Sequence, residues 1–225
     1  MNTVLEIENF FSPEECKEYM NMALQSDERD GLMKVQKSAT FSPLAQSKRT
    51  STTWYCHFEK VPALLAKAQQ LLQSIEIEQM EEPQIVRYQM GQEFSWHYDE
   101  IPSNQLQNGG QRIGTLLVYL NTLQQNSGGG TIFRDLKDPN NEILTMKPKE
   151  GSALLFFPAY ANGTPDDRTL HKGEKVYENE SKMIAQMWIH QRSYQPILPE
   201  GNSHEKALLA IKAKQQELGY TTTTN

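Results

Sequence analysis

Two histidines and one aspartate have the types and the spacing of a metal site. His97 and Asp99 are separated by a single residue, and on a β-strand side chains two positions apart point to the same face. His171 lies much further along the chain, before another strand-like stretch. Two imidazoles and one carboxylate form the facial triad that binds non-haem Fe(II) and leaves coordination positions open. With only two cysteines in the chain, Cys16 and Cys56, a thiolate zinc site is excluded.

The stretch that carries these ligands reads as a series of short strands. Between Gln84 and Gln191, brief apolar runs such as the IGTLLVYL of residues 113–120 alternate with turn signals rich in Gly, Pro and Asn. This punctuation is typical of a β-sandwich or a jelly-roll-like barrel. We therefore predict a mainly β fold with flanking helices, built on a double-stranded β-helix (jelly-roll) core. In such a core, separate strands can bring distant ligands to one point.

Helices are predicted outside the strand region. Ser12 is a capping residue before Pro13, with Glu15 three positions on, which is the signature of a helix start. A second helix is predicted from Pro62 to about Ile75, and a third from about Ser203 to Leu218. The apolar side of the third helix is predicted to face the protein. It consists of Leu208, Leu209 and Ile211.

The organisation of the chain indicates one domain over residues 1–225. There is no repeat of fixed period and no break in composition. Helical support is expected at about 1–80, the jelly-roll core at about 81–195, and a C-terminal helix at about 203–219. Two polar stretches without periodicity, residues 27–49 and 100–111, are predicted to be loops that act as lids.

Composition excludes several functional classes. A net charge of −6 argues against a basic groove, so no nucleic-acid partner is expected. No apolar run approaches the roughly 20 residues of a membrane-spanning helix, so no membrane partner is expected. With no visible signal peptide and only two cysteines, the prediction is a cytoplasmic location. No feature of the sequence indicates an oligomeric state.

Seven ordered motifs resemble the prolyl 4-hydroxylase type of 2-oxoglutarate- and Fe(II)-dependent dioxygenase. The resemblance covers nearly the whole chain, and the order and near-correct spacing of the motifs make it specific. The motifs are LEIENFFSPEECKEYM (5–20), RTSTTWYC (49–56), QIVRYQMGQEFSWHYDE (84–100), RIGTLLVYLN (112–121), GGGTIF (128–133), KPKEGSALLFFP (147–158) and RTLHKGEKV (168–176), the last followed by a lysine and a tryptophan.

The resemblance implies a role for each matching residue. His97, Asp99 and His171 would be the metal ligands. Lys182 would form an ion pair with the distal carboxylate of 2-oxoglutarate, with Tyr88 and Thr131 as its hydrogen-bonding partners. On the substrate side the resemblance implies four residues: Phe94, Trp188, His190 and Arg49.

The sequence departs from the family pattern at three points. His171 and Lys182 are separated by one residue more than is usual, which leaves Lys175 as a competitor for the co-substrate lysine. Lys175, however, lies too close to His171. Phe94 stands where a tyrosine is common, and Gly130 replaces the usual glutamate.

The function implied is hydroxylation of prolyl residues in a peptide or protein to 4-hydroxyproline. Fe(II), 2-oxoglutarate and O2 would be required, with succinate and CO2 as products and ascorbate as the reductant. Two alternatives within the oxygenases are a free amino acid or other small molecule as substrate, and nucleic-acid demethylation. The second is disfavoured by the acidic charge and by a lysine where those enzymes usually have arginine. A non-catalytic jelly-roll binding module is the alternative from a different class, and the retained ligands argue against it.

Overall fold

The computed structural model describes residues 3–25, 31–35 and 49–220. In this part of the chain, antiparallel strands form two sheets, and the helices lie outside them. The strands are β1 (Val4–Ile7), β2 (Leu32–Val35), β3 (Thr52–Cys56), β4 (Gln84–Gln89), β5 (Phe94–His97), β6 (Arg112–Tyr119), β7 (Thr131–Lys137), β8 (Ile143–Met146), β9 (Ala153–Phe156), β10 (His171–Gly173) and β11 (Ser181–His190); the helices are α1 (Pro13–Gln25), α2 (Pro62–Leu71) and α3 (His204–Glu217).

The two sheets face each other as the layers of the predicted jelly roll. The larger has the strand order β1-β9-β6-β11-β4-β3-β2, and the smaller has the order β5-β10-β7-β8. The central strands β6 and β11 are buried along almost their whole length, which explains why they read as continuous apolar runs rather than as alternating ones. The mainly β fold with flanking helices is thus confirmed.

Two apolar cores lie on opposite sides of the large sheet. One fills the space between the sheets, with Phe133 and Phe156 meeting edge to face at 5.2 Å between ring centroids. The other joins the outer face of the large sheet to the helices, through residues such as Tyr19 and Leu64. Because apolar packing supports the large sheet from both sides, its strands form a rigid base for inward-pointing side chains.

The capping box predicted at the start of the first helix is present, whereas the end of the second helix and part of the inward face of the third differ from the prediction. The Ser12 hydroxyl accepts from the Glu15 backbone N–H at 3.2 Å, and the Glu15 carboxylate accepts from the Ser12 N–H at 2.7 Å, as a capping box requires. Helix α2 ends at Leu71 rather than near Ile75. In α3 the buried residues are His204, Ala207 and Ile211. Leu209, predicted to face inward, is 80% exposed, because the helix is anchored instead by a bond from His204 Nε2 to the Met80 carbonyl.

One element is missing from the sequence-based reading. Residues 32–35, inside the predicted loop 27–49, form β2 and pair with β3, with Leu32 opposite Cys56. A four-residue strand of mixed polarity at a sheet edge has little periodicity of its own, and pairing with β3 is what orders it. Residues 27–30 and 36–48 of this segment lie outside the described residues. None of the helices described has the length and apolar character needed to span a bilayer.

Candidate active site

The three predicted metal ligands meet between the sheets. His97 ends β5, His171 begins β10, and the two residues are directly opposite each other in the antiparallel pair. Asp99 follows His97 by two residues, and its carboxylate lies 3.5 Å from His97 Nε2 and 3.9 Å from His171 Nε2. One ligand atom from each residue lies within 4.8 Å of the others, and all three residues are buried. This cluster has the size and composition of a single metal site.

Hydrogen bonds fix both imidazoles in the form that a metal requires. His97 Nδ1 donates to the Ser95 carbonyl at 2.8 Å, and His171 Nδ1 donates to the Thr169 carbonyl at 2.9 Å. A carbonyl only accepts, so each neutral ring carries its proton on Nδ1 and leaves the Nε2 lone pair free. Burial, together with the neighbouring His97, lowers the pKa of His171 to about 4. His171 is therefore neutral near pH 7.

The third ligand is held as a carboxylate. Burial alone would raise the pKa of Asp99, but its interactions with His171, His97 and Arg112 hold that pKa well below its ordinary value. The Thr115 hydroxyl donates to Asp99 Oδ2 at 2.7 Å, which orients the group. Thr115 was not predicted from the sequence. On β6 it shares a face with Leu117 and Tyr119 by strand alternation, and this periodicity is the signal that could have found it.

A buried cavity continues from the ligands between the two sheets. Alternate residues of β11 line it in a row, in keeping with the two-residue period of a strand. The members of this row are Lys182, Ile184, Gln186 and Trp188. Tyr88 of β4 and Thr131 of β7 also line this cavity, so it contains all three residues predicted for 2-oxoglutarate.

Lys182 is a buried cation without an acidic partner in contact. Its side chain is 2% exposed, and within the described ranges no carboxylate lies within ion-pair distance of its ammonium. The ammonium lies over two aromatic faces, with Nζ at 5.5 Å from the Tyr88 ring centroid and 5.4 Å from that of Tyr119. Burial lowers the pKa of Lys182 to about 7. The competitor Lys175 is exposed to solvent.

The extra residue before Lys182 is accommodated in a turn. Glu178, between Val176 and Ser181, has a φ of 59°, so the chain reverses there and β11 still begins in register with β4, Lys182 opposite Tyr88. Gly130, which replaces the usual glutamate, donates its N–H to the Glu174 carboxylate at 3.2 Å. Thr131 accepts a hydrogen bond from the Tyr119 hydroxyl at 2.9 Å, which leaves its own hydroxyl proton available to a ligand.

Comparison with known proteins agrees with this geometry. The 2OG-Fe(II) oxygenase superfamily matches residues 83–190, a range that includes the three ligands and Lys182. Probable prolyl 4-hydroxylase 4 of Arabidopsis thaliana is 34% identical over 139 residues, which are 54% of this chain and 46% of that protein. Probable prolyl 4-hydroxylase 7 of the same plant is 32% identical over 208 residues, 84% of this chain and 62% of that protein. The chain thus spans about half the length of the curated relatives it matches.

Solved structures share the fold. A viral collagen prolyl hydroxylase from Paramecium bursaria Chlorella virus-1, solved as a 2OG complex, has a TM-score of 0.65 and 27% identity, with 84% of this chain and 96% of that chain covered. A Trichoplax adhaerens prolyl hydroxylase, in complex with a peptide fragment of the hypoxia inducible factor oxygen degradation domain, has a TM-score of 0.61 and 17% identity, with 85% of this chain and 84% of that chain covered.

The region 83–190 matches the 2OG-Fe(II) oxygenase superfamily, and the chain is similar to prolyl 4-hydroxylases beyond that region.

The residues at this site fit the cofactors that the matched superfamily implies, which are Fe(II), 2-oxoglutarate and O2. Two imidazoles whose Nδ1 atoms are bonded to backbone carbonyls, together with one ionised carboxylate, are a suitable donor set for Fe(II). The unpaired Lys182 ammonium suits the remote carboxylate of a dianion that reaches into the cavity.

A second, larger cavity adjoins the predicted metal ligands. His97 and Asp99 form its inner end, and Phe94, Arg49 and Trp188 line it. Phe94 stacks on His97, with ring centroids 3.4 Å apart. The Arg49 guanidinium lies 5.2 Å from the Phe94 centroid and donates to Ser51 and Gln84. Three of the four residues predicted on the substrate side therefore lie together.

The fourth residue, His190, does not line either of these cavities. It is fully buried, and its Nε2 is 2.8 Å from the Glu81 carboxylate. The pairing of β11 with β6 shifts register between Ile189 and His190, which is where the row of cavity-facing side chains ends. The expectation that His190 faces the substrate groove is therefore corrected.

Sequence reasoning also missed a buried charge network behind the candidate site. Glu81 accepts from Arg112 through both oxygens, at 2.7 and 2.5 Å. The Arg112 guanidinium lies 3.9 Å from the Trp188 ring centroid and donates to the Asp99 carbonyl at 3.4 Å. Arg112 thus joins a metal ligand to the substrate side. Its position at the start of an apolar strand, within RIGTLLVYL, was the available signal.

The loop 100–111 is anchored rather than free. Gln111 exchanges hydrogen bonds with the backbone of Ile101 at 2.6 and 2.9 Å. Asn108 does the same with Gln195 at 2.8 and 2.7 Å. Such bonding is typical of a fixed wall, and it weighs against the predicted lid in this part of the chain.

Proposed function

We propose that the protein is an Fe(II)- and 2-oxoglutarate-dependent dioxygenase that hydroxylates prolyl residues in a peptide or protein. The observation that carries the proposal is the position of Lys182. It is buried, has no carboxylate within ion-pair distance among the described residues, and lines the same cavity as the His97–Asp99–His171 cluster. A buried ammonium without a counter-ion is costly, and an anionic co-substrate removes that cost. We also propose that residues 1–225 form one catalytic domain.

Each residue has a defined task in this function. Bound Fe(II) supplies O2 activation for C–H hydroxylation, coupled to the conversion of 2-oxoglutarate into succinate and CO2. His97, Asp99 and His171 would hold the metal through two imidazoles and one carboxylate. Lys182 pairs with the distal carboxylate of the co-substrate, and Thr131 donates its hydroxyl proton to the same group.

The surrounding side chains exclude water and orient the reactants. Phe94 and Trp188 are common to both cavities, so they separate the co-substrate end from the groove that the larger cavity forms. That groove would receive the prolyl residue with its flanking chain. Ascorbate is the proposed reductant that keeps the iron in its active state. The cytoplasmic location stays a prediction; Cys16 and Cys56 are both free and buried, as suits a reducing compartment.

The test is turnover of a proline-rich peptide panel by anaerobically Fe(II)-loaded protein with 2-oxoglutarate and ascorbate, followed by mass spectrometry. The expected product carries one added oxygen atom on proline. It is lost in His97→Ala and in Lys182→Ala, whereas Lys175→Ala, a change of an exposed lysine, retains it. Succinate release without peptide modification would redirect the proposal to a small-molecule substrate. Absence of both metal binding and succinate release would refute it.

A further inference from the structure

The outer side of the groove is formed by residues 194–198, here called the groove wall. Ile197 and Leu198 of the groove wall line the same cavity as His97 and Asp99, with Tyr55 of β3 beside them. The cavity is continuous from the metal ligands to this wall. Whatever flanks the reacting group of a substrate must therefore pass along it.

A buried carboxylate fixes the backbone of the groove wall. Glu82 is 3% exposed, and its Oε1 accepts from the backbone N–H groups of Ile197 and Leu198. Its Oε2 accepts from the Tyr194 hydroxyl at 2.7 Å. Burying a carboxylate is unfavourable unless hydrogen bonds compensate for the lost hydration. Here each of those bonds comes from the groove wall.

The groove wall is also tied to the rest of the site. The Tyr194 N–H donates to the Glu78 carbonyl at 2.6 Å, and the Tyr194 ring stacks on His190 at 4.4 Å between centroids. The reciprocal bonds between Asn108 and Gln195 join the wall to loop 100–111. These contacts fix the groove wall relative to loop 100–111 and the end of β11.

The backbone of the groove wall is fixed, but one of its large apolar side chains is exposed to solvent. Ile197 is 65% exposed, although its own N–H is bonded to a buried group. Isolated exposed apolar residues are common and need no explanation. Ile197 differs from them because it is rigidly presented, lies beside Tyr55 and Leu198, and faces a cavity that ends at the metal ligands. Rigid apolar side chains of this kind are typical of recognition contacts.

We propose that Ile197 is a specificity-determining residue, which selects substrates with a bulky apolar side chain next to the reacting proline. Glu82 is the positioning residue that holds Ile197 in place. This inference rests on the proposed function, and it adds to it the class of flanking residue that the groove accepts. The occupant is the substrate chain itself, because the apolar contacts are continuous with the cavity at the metal ligands.

The experiment compares two otherwise identical proline peptides, one with leucine and one with serine beside the proline. Binding is measured by fluorescence anisotropy of the labelled peptides on metal-loaded protein, and hydroxylation by mass spectrometry. The wild type is expected to prefer the leucine peptide. Ile197→Asp is expected to raise KM for the leucine peptide about tenfold and to change KM for the serine peptide less than about twofold. The matched control is Ile143→Asp, a half-exposed isoleucine of β8 outside the groove, which leaves the preference intact.

Each outcome decides between the inference and the function beneath it. Hydroxylation of both peptides with equal KM would overturn the inference and leave the proposed function standing. An equal rise in KM for both peptides in Ile197→Asp would also overturn the inference, since it would indicate a general disturbance. Preferential binding that depends on Ile197, without hydroxylation, would support the selective contact and overturn prolyl hydroxylation. Absence of binding by either peptide would overturn both.

Discussion

At the scale of single residues, Lys182 carries an unfavourable feature that only a ligand relieves. Burial lowers the pKa of its ammonium to about 7, with Glu174 opposing that shift. The unfolded chain holds this proton up to about pH 10.5, so between pH 7 and 10.5 the unfolded state binds more protons and this lysine makes stability rise with pH. An anion bound in the cavity would raise the pKa of Lys182 in the folded protein, because it favours the charged ammonium over the neutral amine.

A pH dependence of co-substrate affinity follows. Below about pH 7 Lys182 is already charged, and 2-oxoglutarate binds without proton uptake. Above pH 7 each binding event must recruit a proton, so the dissociation constant is expected to rise about tenfold per pH unit. Equilibrium dialysis of 2-oxoglutarate against Mn(II)-loaded protein from pH 7 to 9 measures this.

The control for that titration is Lys182→Arg, whose guanidinium stays charged over the whole range. Its affinity for 2-oxoglutarate is expected to be flat between pH 7 and 9, whatever its absolute value. A flat profile in the wild type, or an equally sloping one in Lys182→Arg, would show that Lys182 is not the group that takes up the proton.

Some of these residues could be read from the sequence and others could not. His97, Asp99 and His171 are rare residue types at informative positions, and the motifs around Lys182 distinguish it from Lys175. Thr115 and Arg112 are common types whose meaning depends on strand register, and register is decided by pairing over long separations. Glu81 and His190 gain their roles only when β4 and β11 bring them together.

At the scale of elements, the end of β11 packs closely against the loop before β6, where His190 lies against Gly109. Gly109 has a φ of 80°, and a Cβ added there would lie 2.5 Å from His190 Nδ1. Gly91 has nearly the same φ, 81°, with nothing within 4 Å of such a Cβ. The two positions therefore share the backbone requirement and differ only in the space around them.

This pair makes a matched experiment on stability. Gly91→Ala is expected to lower the free energy of unfolding by about 1 kcal/mol, the cost of a positive φ for an L-residue. Gly109→Ala is expected to lower the free energy of unfolding by about 1–3 kcal/mol more than Gly91→Ala does, because His190 must move away from its bond to Glu81. Urea denaturation of both variants measures the difference, and equal losses would contradict the close fit at His190.

The elements themselves were predictable where local signals are strong. The capping box at Ser12 sets the start of α1 without any help from the rest of the fold. Strand β2 has no such signal and exists only because β3 is beside it. Apolarity alone predicts Leu208, Leu209 and Ile211 on the inward face of α3. Ile211 is buried there, but the docking of His204 and Ile211 turns Leu209 outward. Tertiary contacts decided these cases over local propensity.

At the scale of the whole molecule, the ligands join the two sheets. His97 and His171 belong to the small sheet, whereas Lys182 belongs to the large one. Asp99, beyond the end of β5, is bonded by Thr115 of the large sheet. Metal and co-substrate together would therefore link the layers at two points, and any ligand that binds only the folded state raises its stability by mass action.

Thermal unfolding should reveal two separate increments. A metal such as Co(II), at about 100 times its dissociation constant, is expected to add about 2.7 kcal/mol, which for a chain of this size is a shift of about 5–10 °C in Tm. 2-Oxoglutarate should add a second shift only when the metal is present. Asp99→Ala is expected to lose both shifts, Lys182→Met to keep the first and lose the second, and Lys175→Met to keep both. A 2-oxoglutarate shift in Lys182→Met as large as in the wild type would place the co-substrate elsewhere, since no other cation lines that end of the described cavity.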